Sequence, residues 1–139
     1  MDVKDKRVVV TGAASGIGKA LSEAFHQAGA QSIVAVDMNI EGAQETADSV
    51  NGMAVQANVG KEEDIINVVE KANEHAGGID IFCSNAGIGG VPGFFEVTAA
   101  DWQNIWDVNV QGHIFAAKHV LPQMIERGEG YLVNTSSAA

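Results

Sequence analysis

The sequence predicts an α/β fold: a doubly wound parallel sheet covered by helices on both faces, in three layers. Three observations predict it. Short β-branched runs alternate with helical patterns along the chain. A glycine-rich turn joins the first of these runs to the first helix, and an acidic residue, Asp37, closes the second run. Strands separated by helices imply right-handed crossovers and a parallel sheet buried on both sides.

The elements follow in order. Arg7-Val8-Val9-Val10 reads as a buried strand. Thr11 to Gly18 forms the turn, and Lys19 to Phe25 reads as the helix after it. Ser32 to Asp37 is the second strand, Glu41 to Val50 a short helix, and Met53 to Ala57 the third strand. Glu62 to Ala76 is a helix, because Ile65, Ile66, Val68, Val69, Ala72 and Ala76 recur near helical spacing, and Gly77-Gly78 stops it. Asp80 to Ser84 is the fourth strand. Thr98 and Asp101 have the form of a capping box and start a long helix, Ala99 to Ile125. On it Trp102, Ile105, Trp106 and Asn109 share a face, and Pro122 is expected to interrupt or kink it near its end. Tyr131 to Ser136 is the fifth strand. The expected strand order is 3-2-1-4-5, with a nucleotide at the switch point above strands one and four.

A chain of 139 residues makes one domain, 1–139, with room for a real core. Its 46% apolar content is that of an ordinary globular protein and argues against disorder. The formal net charge of −10, without a basic patch, repels nucleic acid and anionic membrane, so neither is expected as a partner. No apolar run has transmembrane length, and Met1 to Arg7 lacks the apolar stretch of a signal peptide. The single cysteine, Cys83, cannot form an internal disulfide; in an apolar strand it reads as inert core rather than as a nucleophile. A cytoplasmic setting is the expectation. No metal is invoked.

Strand, glycine turn, helix is the arrangement that cradles a pyrophosphate. Glycines let backbone N–H groups approach the phosphates, and the helix N-terminus adds a positive dipole end. The spacing here is Gly12-x-x-x-Gly16-x-Gly18, and a plain turn with close helix packing is the alternative. Asp37 follows Gly18 by 19 residues and can accept from both adenosine ribose hydroxyls. It would repel a 2′-phosphate, and neither Ser15 nor Met38 is basic, so NAD is favoured over NADP. The alternative for Asp37 is a solvated strand-end carboxylate.

Together these residues resemble the short-chain dehydrogenase/reductase family along the whole chain. The turn Thr11 to Gly18 matches the branch with the shorter subunits. Asn85-Ala86-Gly87 looks like the family's Asn-Asn-Ala-Gly element, with Ser84 for the first Asn. The resemblance implies a Rossmann fold in which this segment lines the adenine side of the cofactor and ties the central strands. It implies that Thr11, Gly12, Ser15, Gly16, Ile17 and Gly18 serve the pyrophosphate. Asn58-Val59 stands where the family usually has Asp-Val, beside the adenine; for Asn58 a plain turn role is the alternative. Asn109, a poor helix former on an apolar face, matches the position whose backbone carbonyl holds a water of the proton relay; a satisfied core amide is the alternative. Ser137 matches the catalytic serine, with Ser136 as runner-up and a bare strand-end serine as the remaining reading.

The implied activity is NAD-linked hydride transfer between an alcohol and a ketone. The family's Tyr-x-x-x-Lys should follow Ser137, and it occurs nowhere in the chain. The expectation is therefore the N-terminal portion of a subunit, truncated before that motif, lacking the C-terminal strands and inactive by itself. A non-catalytic dinucleotide-binding module is the alternative. Gly89 to Phe95 is expected near the pocket mouth. The helices 62–76 and 99–125 resemble those of the family's dimer contact, so a homo-oligomer is expected, with Trp102 and Trp106 as interface anchors or as core of the subunit. Strand five is expected to be an open edge that invites pairing.

Overall fold

A computed structural model describes residues 2–90 and 93–137. The expectations for Val91, Pro92, Ala138 and Ala139 lie outside the described residues. Five strands run parallel in the order β3-β2-β1-β4-β5: β1 (Arg7–Thr11), β2 (Ser32–Asp37), β3 (Met53–Gln56), β4 (Ile81–Ser84) and β5 (Tyr131–Asn134). The helices between them are α1 (Gly16–Gln27), α2 (Ile40–Ser49), α3 (Glu62–Ala76), α4 (Ala99–Trp106) and α5 (Gly112–Arg127).

The β-branched runs make two cores because successive side chains point to opposite faces. Val8, Val10, Ile33, Ala35, Ile81 and Cys83 pack with Leu21 and Phe25 of α1 and Ala47 of α2. Val9, Val34, Val36, Val55 and Phe82 pack on the other face with Ile65, Val68 and Ala72 of α3 and Ala116, Val120 and Met124 of α5. The three inner strands are therefore apolar without alternation, as a sheet buried on both faces requires. Full burial of each Val, Ile or Phe side chain among them contributes about 2 kcal/mol. Burial also pushes the Cys83 thiol up to about 12, so it stays protonated core.

The expected helix 99–125 is not continuous. The Thr98–Asp101 capping box forms, with both reciprocal bonds, but α4 gives way to a π-helical turn, Asp107–Gln111, before α5 begins. Pro122 does not end α5, which runs on to Arg127 and stops at Gly128 with φ +73°. Trp102 and Trp106 are 56% and 53% exposed, and α4 buries none of its residues, so neither tryptophan belongs to the core of this chain. Strand β5 is shorter than expected, ending at Asn134, and it stands at the sheet edge with mostly exposed residues. Among the described residues no helix is long and apolar enough to cross a membrane.

Candidate functional site

The strand order reverses between β1 and β4, and the chain leaves both strands at the same end of the sheet. Loops after such strands diverge and leave a crevice. Here the crevice begins at the glycine turn. Gly12 and Gly16 hold φ of +69° and +53°, values glycine adopts without a Cβ penalty. A Cβ on Gly12 would lie 2.9 Å from the Ala86 Cα, and one on Gly18 would lie 2.0 Å from the Gly12 oxygen. These two glycines close the turn on itself and on the β4 loop. Gly16 differs: a Cβ there would meet nothing within 4 Å. The close-packing alternative thus describes Gly12 and Gly18 and fails for Gly16. The first residue before α1, Ser15, makes no side-chain cap, so the leading N–H groups of α1 are not taken by it.

Asp37 is not a solvated strand-end residue. Its Oδ2 accepts from the Ala14 N–H at 3.0 Å and its Oδ1 from the Asn39 N–H at 2.9 Å. The half-buried carboxylate thereby ties the glycine turn to the end of β2. Thr46 of α2 adds a buried hydroxyl bond to the Ala13 carbonyl at 2.8 Å.

The ends of β1, β4 and β5 are knit by one polar network. The Thr11 hydroxyl donates to the Cys83 carbonyl at 3.2 Å and accepts from the N–H groups of Asn85 and Ala86, both at 3.0 Å. The Asn85 amide donates to the Thr11 carbonyl at 3.1 Å and accepts from the Thr135 hydroxyl at 2.9 Å. Thr135 also donates its N–H to the Ser84 carbonyl at 3.1 Å. Thr135, which directly precedes the candidate serines Ser136 and Ser137, is a site residue that sequence reasoning does not single out.

Asn109 lies in the π-helical turn. Its Nδ2 donates to the Ile88 carbonyl and its Oδ1 accepts from the Ile88 N–H, each at 2.8 Å. It is half-buried and clamps the loop after β4, rather than serving as a satisfied amide within the core. Five residues of wider turn carry no signature in hydrophobic spacing, and such bulges recur at functional sites. His113, one residue into α5, bonds through Nδ1 with Asn134 Oδ1 at 3.1 Å; it too escaped the sequence reading.

Two cavities lie over these strand ends. A cleft of about 850 Å³ is lined by Ile17, Asn85, Asn109, His113, Ser136 and Ser137 among others. A smaller one of about 130 Å³ is lined by Gly12, Asp37, Asn58, Val59, Ala86 and Gly87 among others. They share Ala86, Gly87 and Ile88, so together they form one groove. Ile17 is 62% exposed at its wall. Asn58 both shapes its turn and borders the smaller cavity: its Oδ1 accepts from the Gly60 N–H at 3.0 Å, while its N–H donates to Asp64 at 2.8 Å. Val59 packs closely against Gly112, where a Cβ would come within 3.1 Å of it. The residues named from the sequence as catalytic or cofactor-binding candidates all line one groove or belong to the turn that borders it, whereas the expected pocket-mouth residues Gly89, Gly90, Gly93, Phe94 and Phe95 line neither cavity.

Comparison with known proteins agrees with this fold. The family profile described as short chain dehydrogenase matches residues 6–139. Glucose 1-dehydrogenase 2 of Bacillus subtilis (strain 168) is 36% identical over 98% of this chain and 55% of that protein. An uncharacterised oxidoreductase of the same organism, YvrD, is 36% identical over 100% of this chain and 54% of that protein. The crystal structure of a short-chain type dehydrogenase/reductase from Mycobacterium marinum superposes with a TM-score of 0.91 at 29% identity, covering 98% of this chain and 57% of that one. The chain therefore spans about half the length of the curated relatives it matches. The parallel order 3-2-1-4-5, the glycine turn against the β4 loop and the family match over residues 6–139 lead to one conclusion: the chain belongs to the short-chain dehydrogenase family.

Proposed function

We propose that this chain is the cofactor-binding portion of an NAD-dependent oxidoreductase that moves a hydride between a nicotinamide and an alcohol or ketone carbon. The observation that carries the reading is the single groove across the strand ends, with Gly12 and Asp37 at one end and Asn109, Ser136 and Ser137 at the other. The residues present fit a dinucleotide. Open space beside Gly16 adjoins the start of α1, which Ser15 leaves uncapped, and phosphates take backbone N–H donors at such a start. Gly12, Ser15, Gly16, Ile17 and Gly18 would hold the pyrophosphate. Each Asp37 oxygen accepts one backbone bond and keeps a lone pair for a ribose hydroxyl, and its charge disfavours a 2′-phosphate. Asn58, Val59, Asn85, Ala86 and Gly87 would line the adenine side.

The bound cofactor supplies the hydride chemistry; the chain supplies geometry and proton handling. Ser137 would hydrogen-bond the substrate oxygen, orient it and stabilise the charge that develops there. The Asn109 carbonyl would hold a water of the proton path. The acid–base pair Tyr-x-x-x-Lys does not occur in the sequence, so these 139 residues by themselves are expected to turn nothing over. NAD-linked turnover by a preparation of verified 139-residue mass overturns that expectation.

Calorimetric titration with NAD is the test. Binding is expected, and Asp37→Ala should weaken it about tenfold or more, since hydrogen bonds to a charged acceptor contribute about 1.5–3 kcal/mol. The same variant should lose selectivity against NADP. An unchanged NAD affinity in Asp37→Ala removes the ribose role. Exposed Trp102 and Trp106 support self-association through α3, α4 and α5; a cytoplasmic setting is part of the same proposal. Sedimentation should show a species larger than a monomer, and a clean monomer at micromolar concentration ends that part of the reading.

A further inference from the structure

The position of Ser137 depends on how β5 leaves the sheet, and β5 has a neighbour on one side alone among the described residues. Its inner side is fixed to β4. The register pairs Ser84 with Asn134, and Thr135 bonds to both Ser84 and Asn85 just beyond. Those bonds hold the strand end in the plane of the sheet. They do not set its height above the sheet, where the large cleft opens.

One contact acts in that direction. His113 stands in the first turn of α5, directly after Gly112, and Gly112 packs so close to Val59 that a Cβ there would lie 3.1 Å from the Val59 side chain. This close approach brings the first turn of α5 down onto the strand ends. There the imidazole Nδ1 meets Asn134 Oδ1 at 3.1 Å, and both residues line the cleft with Ser136 and Ser137. A carboxamide oxygen has only lone pairs to offer, so the bond requires the proton on His113 Nδ1. In the neutral ring Nε2 then carries the lone pair.

We propose that His113 is a positioning residue. By donating from Nδ1 to Asn134 it anchors the end of β5 to α5, and so fixes the segment that presents Ser136 and Ser137 to the cleft. The proposal rests on the dehydrogenase reading for the use made of Ser137, though not for the anchor itself. The anchor joins the π-helical side of the site to its β5 side. Asn109 clamps the loop after β4 and His113 clamps the end of β5, four residues apart on the same stretch of helix. One rigid element thereby sets two walls of the cleft.

The test is heteronuclear NMR of the 139-residue chain. In the parent, the ring nitrogens of His113 should report the Nδ1–H tautomer; an Nε2–H tautomer overturns the proposal without any substitution. His113→Leu should shift the amide signals of Asn134, Ser136 and Ser137 while leaving those of β1 and β2 in place. His113→Asn, whose Nδ2 occupies nearly the position of the imidazole Nδ1, should return them towards the parent values. A general loss of packing would not be rescued in that way. Unmoved Ser136 and Ser137 signals in His113→Leu, or no return in His113→Asn, also overturn the proposal. NAD titrated into the same samples reports separately on the cofactor reading. Failure to bind removes the function and leaves the anchor standing, whereas binding with unmoved serine signals does the reverse.

Discussion

The two ends of the same sheet use polar residues in opposite ways. At the amino end, charges answer charges. Arg7 donates from Nε and Nη2 to the two Asp80 oxygens at 2.7 and 2.6 Å, and its backbone N–H adds a bond of 2.9 Å. Arg127 reaches Asp80 at 3.5 Å and the Ile79 carbonyl, and Lys6 pairs with Glu129 at 2.8 Å. At the carboxyl end the ties are mostly neutral: Thr11, Asn85 and Thr135 join three strands, and the Asp37 and Asp64 carboxylates are held by backbone N–H groups. Paired charges saturate each other and hold the fold. Hydroxyls and amides fix strand ends yet keep hydrogen-bonding capacity for a ligand. The difference separates the end of the sheet closed by paired charges from the end whose polar groups border the groove.

The largest effect should come from the amino end and spare the groove. Asp80→Asn leaves the guanidinium of Arg7 without its counter-charge in a mostly buried setting. Breaking such a pair costs about 3–5 kcal/mol, which denaturant unfolding would measure, while NAD affinity of the folded fraction should stay at the parent value. A loss of affinity equal to the loss of stability would erase the distinction between the ends. The pair also has a pH signature. The bonds and charge of Arg7 hold the Asp80 carboxyl below its ordinary range. A depressed folded value contributes stability that is present above the unfolded value, about 3.9, and is lost as pH falls through the folded one. The parent should therefore lose stability below about pH 4 with a slope that Asp80→Asn lacks.

Next come two glycines of the same turn, which separate packing from ligand space. Gly18→Ala would push a Cβ to 2.0 Å from the Gly12 oxygen, so backbone must move. About 3 kcal/mol of stability and the cofactor affinity should fall together. Gly16→Ala meets no atom within 4 Å and suffers from its φ of +53° alone, at about 1–2 kcal/mol. Its Cβ would nevertheless stand where a phosphate would lie, so NAD affinity should drop more than stability does. Equal ratios of the two losses in both variants would mean that Gly16 is a turn residue and nothing more.

The alternation of strands and helices and the glycine turn are legible in the sequence because each is written in local spacing, whereas the sheet order follows from the rule for doubly wound folds once that alternation is read. Asp37 was legible by its place at the end of β2, but its bond to Ala14 joins residues whose approach only the folded turn creates. Thr135 and His113 were not legible, since their partners lie 50 and 21 residues away. The π-helical turn escaped for a different reason: a change of period over five residues is too short to register against the 3.6-residue repeat. Trp102 and Trp106 show the limit of periodicity itself. They do share a face with helical spacing, but spacing cannot say whether anything covers that face, and among the described residues both tryptophans stay more than half exposed.

The smallest effect belongs to the carboxyl-end network. Thr135→Val keeps the side-chain shape and removes the hydroxyl that donates to Asn85 Oδ1 at 2.9 Å. The bond is exposed, so water replaces part of it, and the net loss should be about 1 kcal/mol, or about 4 °C in Tm. Asn85 keeps its own bond to the Thr11 carbonyl, so the β1–β4 junction under the glycine turn should be undisturbed and NAD affinity should hold. What should change is the exit of β5, because the variant retains the Thr135 N–H bond to Ser84 and loses the tie to Asn85. Hydrogen exchange should therefore quicken at Asn134 to Ser137 and not at Thr11 to Gly18. If the glycine turn loosens as well, the three strand ends form one cooperative unit, and the carboxyl end of the sheet is as tightly coupled as the charged end opposite it.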